Sequence, residues 1–152
     1  MDIREDDLTD PQTLELLRLH REGMLGGTPA EHAYVLDLGG LRQPGITVWT
    51  AWRDGRALGI AALKQFDATS GEIKSMRTHP AHLRQGVAAR LLDHVIATAR
   101  ARGLRQLMLE TGTAPSFDPA LALYRRHGFR TGPVFADYQE SPYNQFLHLA
   151  LD

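Results

Sequence analysis

A chain of 152 residues, 43% hydrophobic and 23% charged, has room for one ordinary domain, expected to span residues 1–152. Its net charge of −1 gives no general attraction to nucleic acid or anionic membrane, so neither is expected as a partner. The lack of cysteine excludes disulfides, thiolate metal ligands and a cysteine nucleophile, and the acidic MDIREDDLTD start, with no run of about 18 apolar residues anywhere, predicts a cytoplasmic protein.

In chain order, Asp10-Pro11 opens a helix, with Asp10 as N-cap and Pro11 in the first helical position. Leu14 and Leu17 carry it toward Arg21, and Gly23, Gly26 and Gly27 are expected to end it in a glycine-rich loop. Thr28-Pro29-Ala30-Glu31 has the form of a capping box, predicting a second short helix through Tyr34 toward Leu38, before Gly39-Gly40. Two β-rich runs follow, ITVWTAW (46–52) and RALGIAALKQF (56–66), joined by the strong hairpin signal Asp54-Gly55. In the next strand, GEIKSMRT (71–78), the expected inward residues Ile73 and Met76 differ in parity, which predicts a bulge.

Val87, Ala88, Leu91, Leu92, Val95, Ile96 and Ala99 repeat at the spacing of one helix face, and Gly103 stops that helix. LRQLMLET (104–111) reads as a buried strand, and Asp118-Pro119 is expected to cap a helix through Tyr124, ending at Gly128. Residues 131–136 and 145–151 complete the chain as two terminal strands. The early hairpin and the terminal pair cannot both be parallel crossovers, so the order predicts a mixed α/β fold rather than a doubly wound parallel sheet.

Arg84-Gln85-Gly86-Val87-Ala88 lies where a strand has ended and a helix begins. Free backbone N–H groups gather at such a place, glycine lets an anion approach the backbone, and the helix dipole favours negative charge by about 0.3–1 kcal/mol. The residues alone leave two readings, a pyrophosphate seat or a simple turn. Neither a P-loop nor a dinucleotide fingerprint is present, since GxxxxGK[ST] and GxGxxG are both missing. His79 and His82 are separated by a proline and have no third ligand in register, so no metal is expected.

Strand GEIKSMRTHP, loop LRQGVA, the amphipathic helix, strand LRQLMLETG and PALALYRRHGF follow one another from Gly71 to Phe129. Together they resemble the GNAT superfamily of acetyl-CoA-dependent N-acetyltransferases. The resemblance implies an α/β (α+β) fold: a mixed, mainly antiparallel sheet of about six to seven strands, flanked by about four helices, with a splayed parallel strand pair. It implies direct transfer of acetyl from acetyl-CoA, without a metal, to a primary amine of a small molecule or peptide. A non-catalytic acyl-CoA-binding module is the alternative, and a homodimer is left open.

The resemblance also implies a division of labour. The loop 83–88 would bind the coenzyme pyrophosphate through Arg84, Gln85, Gly86, Val87, Ala88 and the adjoining Ala89, although Leu83 stands where Gln or Arg is usual. Met76, Arg77 and Thr78 would present backbone groups to the pantetheine and the acetyl oxygen. Phe117 replaces an asparagine that many members use toward the pantetheine. Tyr124 would protonate the departing thiolate. A lysine-like amine is neutral in only about one molecule in 2,500 at pH 7, so a base or a water relay is required. Glu72 is the family-like candidate, and Glu110, near the end of the next strand, is the rival. The acceptor would enter between Gly23–Thr28 and the segment 136–145, which carries Asp137, Tyr138, Glu140, Tyr143 and Asn144.

Overall fold

The computed structural model describes residues 1–29 and 38–152. Among them seven strands form one sheet: β1 (Asp2–Glu5), β2 (Ile46–Arg53), β3 (Arg56–Gln65), β4 (Ser70–Thr78), β5 (Gln106–Gly112), β6 (Arg130–Thr131) and β7 (Asn144–Ala150). Their order is β1-β2-β3-β4-β5-β7-β6. β4 and β5 run parallel and the other neighbouring strands antiparallel. Among the described residues four helices accompany the sheet: α1 (Pro11–Gly27), α2 (Leu38–Leu41), α3 (Val87–Ala101) and α4 (Asp118–Arg126). The mixed, mainly antiparallel architecture is the one expected.

The central strands are apolar because both of their faces are covered. In β3, Leu58, Ala61 and Leu63 join the core beneath α3, with Leu91, Leu92 and Val95 of that helix. Ala57, Ile60 and Ala62 point the other way, into a smaller core with Leu16 of α1 and Leu41 of α2. The β2–β3 hairpin turns on Asp54 (φ 52°) and Gly55 (φ 75°), the left-handed pair that a two-residue connection requires.

The predicted bulge in β4 is present. Ile60 pairs with Arg77 but Ala62 with Lys74, so the register against β3 slips, and Ser75 takes a left-handed φ of 56°. Such a φ costs a side chain about 1–2 kcal/mol. Its effect is to invert the alternation. Ile73 and Met76 both turn to the core under α3, while Glu72, Lys74 and Arg77 share the α1 face.

Four local expectations are corrected. The glycines after Arg21 do not form a loop: α1 continues through Gly27. They are spaced for close approach instead. A Cβ on Gly23 would lie 2.7 Å from the Arg77 guanidinium, and one on Gly27 would lie 2.8 Å from the Phe117 ring. β1 was not anticipated because DIRE has one apolar residue and no alternation; its pairing with β2, from Asp2↔Trp52 to Glu5↔Trp49, holds it.

The strand expected over 131–136 is confined to Arg130–Thr131, because the N–H of Gly132 makes the last bond to Phe146 and Pro133 has none to offer. Asp118 does not cap α4. A 3-10 turn, Pro115–Phe117, leads directly into that helix, and Phe117 occupies the N-cap position without a side-chain bond. The second helix expected through Tyr34 toward Leu38 falls on 30–37, outside the described residues; Gly39 and Gly40, expected to follow it as a break, are themselves helical, within α2.

Candidate functional site

β4 and β5 pair at Ser70↔Gln106, Gly71↔Leu107 and Glu72↔Met108 and then diverge. Their ends, α1, the Gly86 loop and α4 enclose a cleft of about 520 Å³. Glu72, Met76, Arg77, Thr78, Arg84, Gly86, Val87, Ala88, Ala89, Glu110 and Tyr124 all line it. Gln85 is the exception among the catalytic and coenzyme-binding residues singled out from sequence. It is absent from the lining, and its side-chain oxygen accepts a hydrogen bond from the Arg53 guanidinium. Of the acceptor-side segment 136–145 only Tyr138 lines the cleft, without Asp137, Glu140, Tyr143 or Asn144.

At the α3 end the wall is mainly backbone. Gly86 is the N-cap of α3 with φ 79°, and Arg84 is also left-handed at φ 61°. No side chain caps the helix, and its first intrahelical bond runs from Arg90 N–H to the Gly86 carbonyl. The amides of Val87, Ala88 and Ala89 therefore have no carbonyl partner from within the helix. A Cβ on Gly86 would meet nothing within 4 Å, so conformation rather than crowding selects glycine there. Leu83 lines the cleft with 57% of its surface exposed and supplies no polar group. This constellation can hold an anion through N–H groups and the helix dipole.

Tyr124, on α4, is buried in the wall of the cleft. Its ring packs edge-on against Phe129, with centroids 5.8 Å apart, and its hydroxyl points at the Met76 sulfur 3.8 Å away. A thioether is a weak acceptor, so the phenol proton remains available. Burial pushes the Tyr124 hydroxyl up to about 12, against the opposing pull of the Arg77 charge. Tyr124 is thus a proton donor throughout the neutral range. Phe117 forms the wall beside it, its ring lying over Gly112, where a Cβ would come within 2.2 Å.

The two carboxylates differ in surroundings. Glu72 is 2% exposed and accepts hydrogen bonds from the Tyr138 hydroxyl and from Lys74 Nζ at 3.2 Å. Lys74 Nζ also reaches the Tyr138 oxygen at 2.7 Å, closing a triangle. Glu110 lies just past the last β4–β5 pair and is half-buried. Burial pushes its carboxyl up to about 7; Glu72 adds to that rise, while a hydrogen bond from Asn144 and the Lys74 charge oppose it. A carboxyl tuned to neutral pH and open to a cleft is suited to accept a proton.

Toward α1, Arg77 Nε donates to His20 Nδ1 at 3.2 Å. Burial first, and the Arg77 charge second, push His20 down to about 3, so it is a neutral acceptor. Sequence reasoning missed His20 and Lys74 as lining residues, whereas Met24 falls in the Gly23–Thr28 stretch expected on the acceptor side. Lys74 carried a signal, because it follows Glu72 by two positions and alternation places both on one face. His20 carried none, since only the path of α1 brings it in. His79 is used locally: its Nδ1 accepts from the Ala81 N–H at 3.0 Å, capping a 3-10 turn.

Comparisons with known proteins agree with this architecture. Residues 13–129 match the model of the acetyltransferase (GNAT) family. An uncharacterized N-acetyltransferase of Escherichia coli (strain K12), YedL, is 44% identical over 149 residues, covering 98% of this chain and 94% of that protein. A crystal structure from Klebsiella pneumoniae, assigned as an acyl-CoA N-acyltransferase, superposes with a TM-score of 0.84 at 28% identity over 99% of this chain and 97% of the other. A GNAT family acetyltransferase from Elizabethkingia anophelis, crystallised with acetyl-CoA bound, shares the fold at a TM-score of 0.68 and 20% identity, over 99% of this chain and 97% of that one.

Proposed function

The chain belongs to the GNAT family of acetyltransferases, and from that premise we propose that it moves the acetyl group of acetyl-CoA directly onto a primary amine of a small molecule or peptide. The observation that carries this reading is the meeting of Tyr124 and Glu110 in one cleft that ends on the uncapped first turn of α3. A proton donor, a proton acceptor tuned near neutrality and an anion seat are the three tools that such a transfer needs.

Acetyl-CoA is a substrate here, and the residues present fit it. Its pyrophosphate would rest on the amides at the start of α3, with Gly86 admitting it to the backbone. Its extended arm would enter the gap between β4 and β5, against backbone groups of Met76, Arg77 and Thr78. The thioester supplies an acyl group activated for attack by a neutral amine.

Glu110 takes a proton from the incoming ammonium, directly or through water, as Glu72 is already engaged by Lys74 and Tyr138. Tyr124 gives its proton to the departing sulfur. No acyl-enzyme is required, in keeping with a chain that has no cysteine. A cytoplasmic setting is part of the same proposal; among the described residues no helix is long and apolar enough to cross a membrane.

The test is thiol release from acetyl-CoA with a panel of polyamines, amino acids, aminoglycosides and peptide N-termini. Acetylation of at least one amine class is expected. Tight coenzyme binding with no turnover across the panel would instead support a non-catalytic acyl-CoA-binding module.

A further inference from the structure

One charge in the cleft is half-buried and has no counter-charge among the described residues, whereas Arg84 and Arg126 are exposed to water. That charge is carried by Arg77, and burial holds its guanidinium below the usual range. Among the described residues no carboxylate pairs with it, and its bond to a neutral His20 occupies one of its five donors. Desolvating a cation without a partner is costly, and proteins ordinarily pair it.

Three features of the chain nevertheless build Arg77 into this position. The Ser75 bulge turns it onto the same face as Glu72 and Lys74; regular alternation would have sent it under α3 with Ile73. Gly23 leaves the space that the guanidinium fills, since a Cβ there would stand 2.7–2.9 Å from its Nη2, Cζ and Nη1 atoms. His20 fixes its Nε edge. Lys74 is not equivalent, because Glu72 and Tyr138 already hold its ammonium. Glu110, the proton acceptor of the proposed reaction, opens into the same cleft.

We propose that Arg77 seats an anionic group of the acceptor, so that the amine acetylated by this protein belongs to a molecule that also carries a free carboxylate. An amino acid satisfies this; a polyamine or an aminoglycoside does not. The charged fork binds a carboxylate through two parallel hydrogen bonds, and that pairing supplies the counter-charge that none of the described residues provides. Binding orients the acceptor with its ammonium available to Glu110. This assignment rests on the acetyltransferase reading above, but it concerns the α1 side of the cleft, where the coenzyme loop plays no part.

Matched pairs test it: α-, β- and longer-chain amino acids, each beside its carboxamide, assayed by thiol release and by calorimetric titration of the coenzyme A-bound protein. We expect acids to exceed their amides by about 30-fold or more in kcat/KM, chiefly through KM. Arg77→Gln should collapse that ratio toward one, and Arg77→Lys should keep part of it, with circular dichroism confirming that both variants fold.

Amides that match acids in the wild type, a ratio that survives Arg77→Gln, or a substitution that weakens acetyl-CoA more than the acceptor would each overturn the assignment. If no amine is acetylated, the acetyltransferase reading fails and the titrations decide this one. Acid binding that is at least tenfold tighter than amide binding and lost in Arg77→Gln supports it, and equal or absent binding overturns it.

Discussion

The two ends of the cleft are made of different material. At the α3 end the polar groups are backbone amides presented by a left-handed Gly86 and an uncapped helix, with side chains as exposed as Leu83 contributing little. At the α1 end side chains converge from four parts of the chain: Glu72, Lys74 and Arg77 from β4, Glu110 from β5, His20 from α1, and Tyr138 from the segment before β7. The first kind of site depends on conformation and tolerates changes of side chain. The second depends on each group that keeps its neighbours charged, neutral or oriented. On the proposed reading the α3 end would hold the coenzyme and serve any acetyl transfer, while the α1 end would carry what is particular to this protein's acceptor.

The sharpest way to break this contrast is at the middle, where the ends meet. Tyr124→Phe removes a hydroxyl whose partner is the Met76 sulfur, so little stability is at stake. We expect kcat to fall by about 10²- to 10⁴-fold while the affinity for acetyl-CoA stays within about twofold, measured by thiol release and by titration. Activity equal to the wild type would return Tyr124 to a packing role beside Phe129.

Next in size is Glu110→Gln, for which a loss of about 100-fold in kcat/KM for the amine is expected. The wild-type rate should rise with pH through about 7 as Glu110 ionises, and that inflection should vanish in the variant. Stability runs the opposite way. A carboxyl whose folded value lies above its ordinary 4.5 stabilises the protein below that value, and the contribution is lost as pH rises through about 7. Thermal unfolding of Glu110→Gln should lack this loss. A pH profile unchanged by the substitution would move the proton acceptor elsewhere.

The smallest of the three effects belongs to the backbone end. Gly86→Glu places a side chain at φ 79° and a negative charge beside the amides. We expect acetyl-CoA to bind about 10- to 100-fold more weakly, and the fold to lose about 1–2 kcal/mol. Unchanged affinity in a folded variant would remove the loop as the anion seat and, with it, the contrast between the two ends.

The same contrast separates what was legible in the sequence from what was not. Gly86 at the mouth of α3, the apolar stripe from Val87 to Ala99 and the Asp54-Gly55 turn are local: spacing and conformational preference within a few residues determine them. Even the β4 bulge announced itself, through the mismatched parity of Ile73 and Met76. The reading failed where the reason for a residue lies far along the chain. Gly23 and Gly27 look like helix breakers until Arg77 and Phe117 are seen against them. Gln85 sits in the right pentapeptide yet turns to Arg53, a partner on another strand. The choice of Glu110 over Glu72 as the proposed proton acceptor rests on Tyr138, which engages Glu72 from 66 positions away in sequence.

The brief pairing of β4 with β5 has a mechanical side. Below Glu72↔Met108 the sheet is continuous; above it, β1 through β4 form one leaf and β5, β7 and β6 another, with backbone edges facing across a gap. An extended ligand arm bearing amides, laid into that gap, stands in the place of a missing strand. On the proposed reading the coenzyme is a removable rib of the protein's own frame, and the stiffness of the molecule across this seam rises and falls with each turnover.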